Sequence, residues 1–300
     1  MANEVMVALD GSEKGKRAVS IALALSELAE VGVHLVRVIA PASARTSAQA
    51  RLVGVDPLAA NGRLDVESEL AGTARALSTR SRRPISWEVI DAADVPKALI
   101  DVAESRNATA VVMGTRAATG AGLAIVGSVA DRVMRECPKP VVLVPPGAAD
   151  TSDKHVELER VLVPLDGSPL ADRSMDLLLD LPQASELELV LVAVVHNPVD
   201  VAFVRRRLHA AADRVVARSV AATARVLRGG DAANAIAFAV REFSADLIAM
   251  STRGEGGLRR LMLGSVAEGV VRAADVPVLL LTPTMLAAHE KMRPMITVAE

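Results

Sequence analysis

The feature that most constrains this chain is that it carries the same sequence pattern twice. The segment EVMVALDGS at positions 4–12 returns as RVLVPLDGS at 160–168. The segment VVMGTRAATGAGLAIVGSVADRVMRECPKPVVLV at 111–144 returns as IAMSTRGEGGLRRLMLGSVAEGVVRAADVPVLLL at 248–281, with 13 of 34 residues identical and no gap. The offset falls from 156 to 137, which predicts an insertion within residues 43–81 of the first copy. A duplicated pattern in 300 residues predicts two homologous domains.

Within each copy, short apolar runs alternate with helical patterns. The runs of the first copy are Val5–Leu9, Val33–Ile39, Ile85–Ile90, Ala110–Met113 and Val141–Val144. Those of the second are Val161–Leu165, Leu187–Val195, Ala224–Leu227, Leu247–Met250 and Val278–Leu281. Asp94 and Asp231 are predicted N-caps of helices. The alternation is typical of right-handed βαβ units. The fold class is therefore α/β, with two tandem doubly wound, five-stranded, parallel-sheet domains of Rossmann-like type.

The predicted domains cover residues 1–147 and 159–284, joined by a linker at 148–158 and followed by a tail at 285–300. The hydrophobic fraction of 51% supplies ample material for two cores. A net charge of -2 and an aromatic content of 1% argue against nucleic-acid binding. The single cysteine, Cys137, excludes a disulfide framework, and the scattered histidines do not have metal-ligand spacing.

Neither a signal peptide nor a spanning segment is expected. The opening MANEVMVALDGS lacks a basic region, and no run approaches the roughly 18 uncharged apolar residues that a spanning helix needs. We therefore expect a cytoplasmic protein without membrane contact.

Each copy places a glycine-containing loop after its fourth strand, and that loop ends in GSV at the start of a helix. Open parallel sheets bind ligands at the carboxyl ends of their strands, and a helix N-terminus suits a phosphate. Asp10 and Asp166 end the first strands at the same edge. Other readings remain open: the loops could be ordinary tight connections, the aspartates could be helix caps, and Arg259 and Arg260 could form a solvated face.

With these segments in place, the chain resembles the universal stress protein family, over both copies. Its nucleotide-binding members carry G-x2-G-x9-G-[S/T], which implies ATP on the glycine loop and adenine near the first and second strands. Asp10 and Asp166 match the family's aspartate on the first strand, which could bond the ribose or help to hold Mg²⁺ bound to the phosphates. The resemblance implies the following binding residues in the first copy: Asp10, Val38, Met113, Gly114, Arg116, Ala117, Gly127, Ser128 and Val129. In the second copy it implies Pro164, Asp166, Val194, Met250, Ser251, Arg253, Gly254, Gly264, Ser265 and Val266.

Each copy departs from this motif at one glycine, because Ala117 and Ser251 stand at glycine positions. If Ala117 had to adopt a positive φ, the strain would be about 1 kcal/mol. The second loop also carries Arg253, Arg259 and Arg260, against Arg116 in the first. We therefore expect the second site to be the better nucleotide site.

No catalytic apparatus is recognisable, since neither a G-x-S-x-G elbow nor a Walker A sequence is present. The expectation is an ATP-binding regulator or sensor of the stress response, not an enzyme. A nucleotide-free interaction module of the same family is the main alternative, and a weak ATPase is a third. The two copies are expected to pack as a pseudo-dimer, the chain to form a homodimer, and the regulatory protein partner is unidentified.

Overall fold

The structure is a computed structural model that describes residues 3–12, 15–39, 62–117, 124–146, 148, 156–197, 200–252, 264–282 and 285. The first half contains β1 (Glu4–Ala8), α1 (Gly15–Ala29), β2 (Gly32–Ile39), α2 (Gly62–Ser78), β3 (Ile85–Asp91), α3 (Val95–Ser105), β4 (Ala110–Gly114), β5 (Arg116–Ala117), β6 (Ala124–Ile125), α4 (Ser128–Glu136) and β7 (Val141–Val144). The second half contains β8 (Arg160–Pro164), α5 (Pro169–Leu179), β9 (Glu188–Val195), α6 (Val201–Val216), β10 (Ala221–Arg228), α7 (Ala232–Glu242), β11 (Leu247–Ser251), α8 (Ser265–Ala273) and β12 (Val278–Leu281).

Ten strands form one sheet in the order β10-β9-β8-β11-β12-β7-β4-β1-β2-β3. Each half contributes five parallel strands, and its order reverses between the first and fourth strands. This confirms the predicted doubly wound α/β class. The inserted residues between β2 and α2, and the tail after residue 285, lie outside the described residues.

The halves are joined edge to edge, which the repeat did not predict. β7 and β12 pair antiparallel, with Val142 opposite Leu279, so two five-stranded sheets become one. Both strands are fully buried runs, VVLV and VLLL, whose side chains are covered by helices on both faces. The outer strands β3 and β10 are more exposed, because each has an edge without a neighbouring strand in the described sheet.

Two hydrophobic cores flank the sheet, and each runs through both halves. One core packs beneath α1, α2, α5 and α6, and the other beneath α3, α4, α7 and α8. Cys137 belongs to the second core, where burial raises the pKa of its thiol to about 11. The thiol is therefore protonated at neutral pH, as a structural cysteine should be.

The predicted helix caps are confirmed. Lys97 N–H donates to Asp94 Oδ1 (3.1 Å), and Ala233 N–H donates to Asp231 Oδ1 (2.9 Å). Each aspartate satisfies an orphan donor in the first turn of its helix. The cap at Asp231 starts α7 beside the second-half cavity described below, which Ala232 and Ile236 of that helix line.

Candidate functional site

The carboxyl ends of β8, β9 and β11 enclose a space of about 490 Å³, which we call the second-half cavity. It lies at the reversal of strand order, where open parallel sheets bind their ligands. Eight predicted residues line it: Pro164, Asp166, Val194, Met250, Ser251, Gly264, Ser265 and Val266. The predicted Arg253 and Gly254 lie outside the described residues, as do Arg259 and Arg260.

A tight turn with the sequence Asp-Gly-Ser forms one rim of this cavity. Ser168 N–H donates to Asp166 Oδ1 (2.9 Å), and Gly167 takes a left-handed φ of 96°. Ser168, not the aspartate, then caps α5 by accepting from Ala171 N–H (3.1 Å). The aspartate thus fixes the turn through one carboxylate oxygen, and its exposed carboxylate lines the cavity.

The N-terminus of α8 forms the opposite rim. Gly264 is its N-cap residue, with φ −65° and ψ 148°, and no side chain caps the helix there. The aspartate- and serine-capped helices α3, α5 and α7 differ in this respect. Orphan N–H groups and the positive end of the helix dipole therefore face the cavity, next to the Ser265 hydroxyl. This arrangement suits a phosphate group.

The two ends of the glycine loop are held by the sheet. Thr252 N–H donates to Leu281 O, and Gly264 N–H donates to Thr252 O, both at 2.8 Å. Met250 and Ser251 are buried where β11 enters the loop, 5% and 7% exposed. Sequence reasoning missed Thr252, although its position between strand and loop would have indicated it.

The far end of the cavity is more apolar and is formed by β9 and α7. Val194 lies there as predicted, together with Val192, Ala232 and Ile236. His196 follows β9, and its Nδ1 lies 2.9 Å from the carbonyl oxygen of Gly229. A donor nitrogen at Nδ1 would leave Nε2 as an acceptor. Ala232 and Ile236 were not predicted, although Asp231 as the N-cap of α7 was a usable signal for Ala232.

The first half repeats the geometry at its own strand ends. Ser12 N–H and Ser12 Oγ–H both donate to Asp10 Oδ1, at 2.9 and 2.6 Å, and Gly11 has φ 79°. The remaining predicted residues lie on β2, at the end of β4, in β5 and at the start of α4: Val38, Met113, Gly114, Arg116, Ala117, Gly127, Ser128 and Val129. Gly127, like Gly264, is an N-cap without a side-chain bond.

Ala117 does not adopt the positive φ that would have strained it. Ala117 lies in β5, where it pairs antiparallel with Ala124, and it is not among the positive-φ residues. At this position the chain is extended, as one strand of the antiparallel β5–β6 pair. The alanine is compatible with that conformation because extended backbone carries no Cβ penalty.

Other classes of site are less developed. Within the described residues, no group of three or more His, Cys, Asp or Glu side chains is arranged to hold a metal ion. None of the helices in the same part of the chain is long and apolar enough to cross a membrane.

Comparison with known proteins agrees with the architecture. The sequence profile of the universal stress protein family matches residues 1–145 and again residues 157–282. A universal stress protein of Mycolicibacterium smegmatis is 26% identical over 299 residues, covering 93% of this chain and 97% of the relative. One from Mycobacterium tuberculosis strain H37Rv is 26% identical over 291 residues, covering 92% and 95%.

A crystal structure of a universal stress protein from Archaeoglobus fulgidus has the same fold. It superposes with a TM-score of 0.70 at 20% identity, covering 94% of this chain and 99% of that one. The family profile accounts for nearly the whole chain in two successive matches, each containing one Asp-Gly-Ser turn and one glycine loop. The chain therefore belongs to the universal stress protein family and carries that family's domain twice.

Proposed function

We propose that this protein binds ATP in the second-half cavity and acts as a nucleotide-dependent regulator or sensor of the stress response. The observation that carries the proposal is that eight of the residues implied by the family resemblance line one cavity of about 490 Å³. Its volume lies within the range of roughly 300–1,000 Å³ typical of small-molecule sites. The apolar end formed by β9 and α7 suits a purine base, and the α8 N-terminus suits the phosphates.

The Asp166 carboxylate fits a phosphate-bound Mg²⁺. Mg²⁺ in nucleotide sites is commonly held by one or two carboxylates together with phosphate oxygens and water. Asp166 is exposed at the cavity and uses Oδ1 for the turn. It would contribute an oxygen ligand, and the metal would neutralise phosphate charge.

A population shift is the simplest mechanism for such a regulator. ATP bound to Gly264, Ser265 and Val266 would stabilise one conformation of the site between the ends of β11 and α8. A partner that recognises this conformation would then bind the nucleotide-loaded protein more tightly. This mechanism requires the chain to bind nucleotide and to favour one conformation, and it requires no dedicated nucleophile or base.

The test is to release nucleotide from the purified protein by heat and identify it by anion exchange against ATP, ADP and AMP. We expect at least one equivalent of ATP per chain. If none is released, millimolar Mg-ATP should still raise the melting temperature, because ligand at 100 times Kd adds about 2.7 kcal/mol of stability. Failure of both measurements would contradict the proposal.

Site-directed variants assign the bound nucleotide to a half. Gly254→Val should reduce the stoichiometry, because the side chain obstructs backbone approach in the second loop, whereas Gly114→Val should have the smaller effect. The opposite ranking would contradict the preference for the second site.

A second function is favoured by one specific observation. Ser251 and Ala117 replace glycines that mark the family's nucleotide-binding members. A nucleotide-free interaction module would explain both replacements. This alternative predicts no released nucleotide and no thermal shift with Mg-ATP.

A further inference from the structure

The two halves place an arginine against the Asp-Gly-Ser turn, but from different elements. In the first half, the Arg37 guanidinium on β2 packs against Gly11, so closely that a Cβ there would collide with it. In the second half, the guanidinium that packs against Gly167 belongs to Arg207 on α6. The same placement is therefore reached by a strand residue in one half and a helix residue in the other.

The equivalent positions show that the residues have been exchanged. Leu9 N–H donates to Val36 O and Leu165 N–H donates to Val192 O, so Arg37 and Ala193 are the next residues on equivalent strands. The buried leucines Leu70 and Leu208 occupy equivalent positions when α2 is aligned with α6. In that alignment Glu69 and Arg207, one residue earlier, are also equivalent. The first half thus pairs Arg37 with Glu69, and the second half has alanine and arginine at these positions.

The exchange leaves a charge without its partner. Arg37 Nη1 lies 3.1 Å from Glu69 Oε2, and the Arg37 side chain is 14% exposed. Arg207 has no carboxylate or other hydrogen-bond partner in the part of the chain that the structure describes. Among the described residues, Arg207 at the second turn therefore has no counterpart of the Glu69 carboxylate that pairs with Arg37 at the first turn.

The exchange also leaves a space. With alanine at 193, a cleft of about 170 Å³ opens beside the turn. We call it the annex. Its charged lining residues are Asp172, Arg207 and Arg214, and the rest of its lining is apolar: Leu165, Ala193, Val204, Leu208, Ala210 and Ala211. Its volume is comparable with the roughly 150 Å³ that accommodates a benzene-sized molecule. Leu165 and Ala193 line both the annex and the second-half cavity, so the two spaces adjoin.

The charges lining the annex favour an anion. Asp172 Oδ2 lies 3.5 Å from Arg214 Nη1, and Arg214 Nη2 lies 3.3 Å from Asp176 Oδ1, which is not a lining residue. Among the lining residues, one aspartate therefore stands beside two arginines. Arg207 remains in excess. A guanidinium is permanently charged and its planar donors match carboxylate or phosphate oxygens.

We propose that the annex, through Arg207, binds a phosphate group, and that the second site accordingly takes adenine nucleotides bearing an additional phosphate on the ribose. This use of the annex rests on the proposed nucleotide function. A ribose that joins a base at the β9 and α7 end to phosphates at the α8 N-terminus would lie between them, on the side where Leu165 and Ala193 adjoin the annex. Free inorganic phosphate has the same chemistry and is the other source of the anion.

The experiment titrates the full chain with AMP, adenosine 2′,5′-bisphosphate, adenosine 3′,5′-bisphosphate and inorganic phosphate by calorimetry. Wild type should bind one bisphosphate roughly tenfold or more tightly than AMP, as expected for one added charge-assisted hydrogen bond. Arg207→Gln should abolish that preference and leave AMP binding unchanged. Arg206→Gln, the same change on the next, equally exposed residue of α6, should retain it.

Restoring the first-half pair tests the geometry. Ala193→Arg combined with Arg207→Glu should fill the annex and remove the preference while the melting temperature verifies the fold. If inorganic phosphate alone binds and depends on Arg207, the annex is a site for the free anion. If neither bisphosphate nor phosphate depends on Arg207, the proposal is overturned.

The outcomes separate this proposal from the nucleotide function. AMP and ATP binding without any Arg207 dependence would leave the proposed function standing and reject the annex. Arg207-dependent phosphate binding without nucleotide binding would retain the annex as an anion site and reject the proposed nucleotide function.

Discussion

At the scale of single residues, two glycines in the described part of the chain are required by backbone conformation. Gly11 and Gly167 have φ values of 79° and 96°, where an L-residue places its Cβ too close to the backbone. The Asp-Gly-Ser repeat is therefore a structural turn first, and its aspartate is held at the cavity rim as a consequence. The sequence predicted the location of Asp166 from its place at the end of the first strand of its half, although not the hydrogen bond that orients it.

Replacing Gly167 by alanine should destabilise the protein by about 1 kcal/mol, because the left-handed φ is strained for alanine. The new Cβ would also displace the Arg207 guanidinium. Urea unfolding measures the loss. Gly230→Ala is the matched control, since that glycine has no atom within 4 Å of a built Cβ and no positive φ. Equal effects at both positions would contradict the argument.

His34 on β2 predicts a specific pH dependence. Its side chain is 0% exposed, and Nε2 lies 2.7 Å from Glu88 Oε1 while Nδ1 lies 2.7 Å from Ser86 Oγ. Burial, aided by the Arg106 charge, lowers the pKa of His34 below 6.5, although Glu88 and Glu4 oppose the shift. The folded protein then binds fewer protons than the unfolded chain as pH falls through 6.5.

We therefore expect the free energy of unfolding to decrease as pH falls below about 6.5, where an unperturbed histidine begins to take up its proton. Urea unfolding at closely spaced pH values measures the slope. His34→Gln should reduce it, and His209→Gln, a change at an exposed histidine, should not. A slope that survives the His34 substitution would show that other groups cause it.

At the scale of elements, α7 and α8 approach more closely than an alanine would permit. A Cβ built on Gly269 would lie 2.5 Å from Ala233 Cβ, and neither atom can move without its helix. The equivalent position in the first half holds Arg132, which reaches Asp94 at 2.8 Å and Glu136 at 3.0 Å. Asp94 caps α3, whereas Glu136 lies on the same helix as Arg132. The two halves thus join equivalent helices differently, one by close packing and one by the Arg132–Asp94 ion pair.

Gly269→Ala should destabilise the protein by about 1 kcal/mol or more, because overpacking outweighs the gain in helix propensity. Gly72→Ala is the control within α2, where a Cβ meets no atom within 4 Å, and it should stabilise by up to about 1 kcal/mol. Thermal melts of both variants measure the difference in sign. Stabilisation by both substitutions would show that α7 and α8 separate at little cost.

At the scale of the whole molecule, the two domains share their sheet and both of their cores. β7 pairs with β12, and each hydrophobic core contains residues of both halves. Neither half can unfold without exposing apolar surface of the other. We therefore expect one cooperative thermal transition, in spite of the two sequence repeats.

Leu279→Ala at the β7–β12 junction should lower that single transition, with a loss of about 2–5 kcal/mol for a buried leucine. Leu64→Ala, at a leucine that is 71% exposed, should leave it nearly unchanged. Differential scanning calorimetry makes the comparison. Two separate endotherms, with only one of them displaced by Leu279→Ala, would show that the halves unfold independently.

The sequence by itself determined the duplication, the alternation of strands and helices, and the caps at Asp94 and Asp231. These follow from local physics: hydrophobic periodicity, backbone preferences and hydrogen bonds between near neighbours in the chain. Ser265 and Val266 could be assigned to the site because parallel strands direct their carboxyl ends to one edge.

Only the tertiary structure decided how the halves meet and what lies between elements distant in sequence. The pairing of Val142 with Leu279 depends on which buried edges come together, and VVLV and VLLL carry no signal for it. The exchange of Arg37 for Arg207 likewise cannot be recognised from either residue alone. The two arginines are comparable only because a strand residue in one half and a helix residue in the other pack against equivalent turns. That packing is a property of the tertiary structure and not of the local sequence.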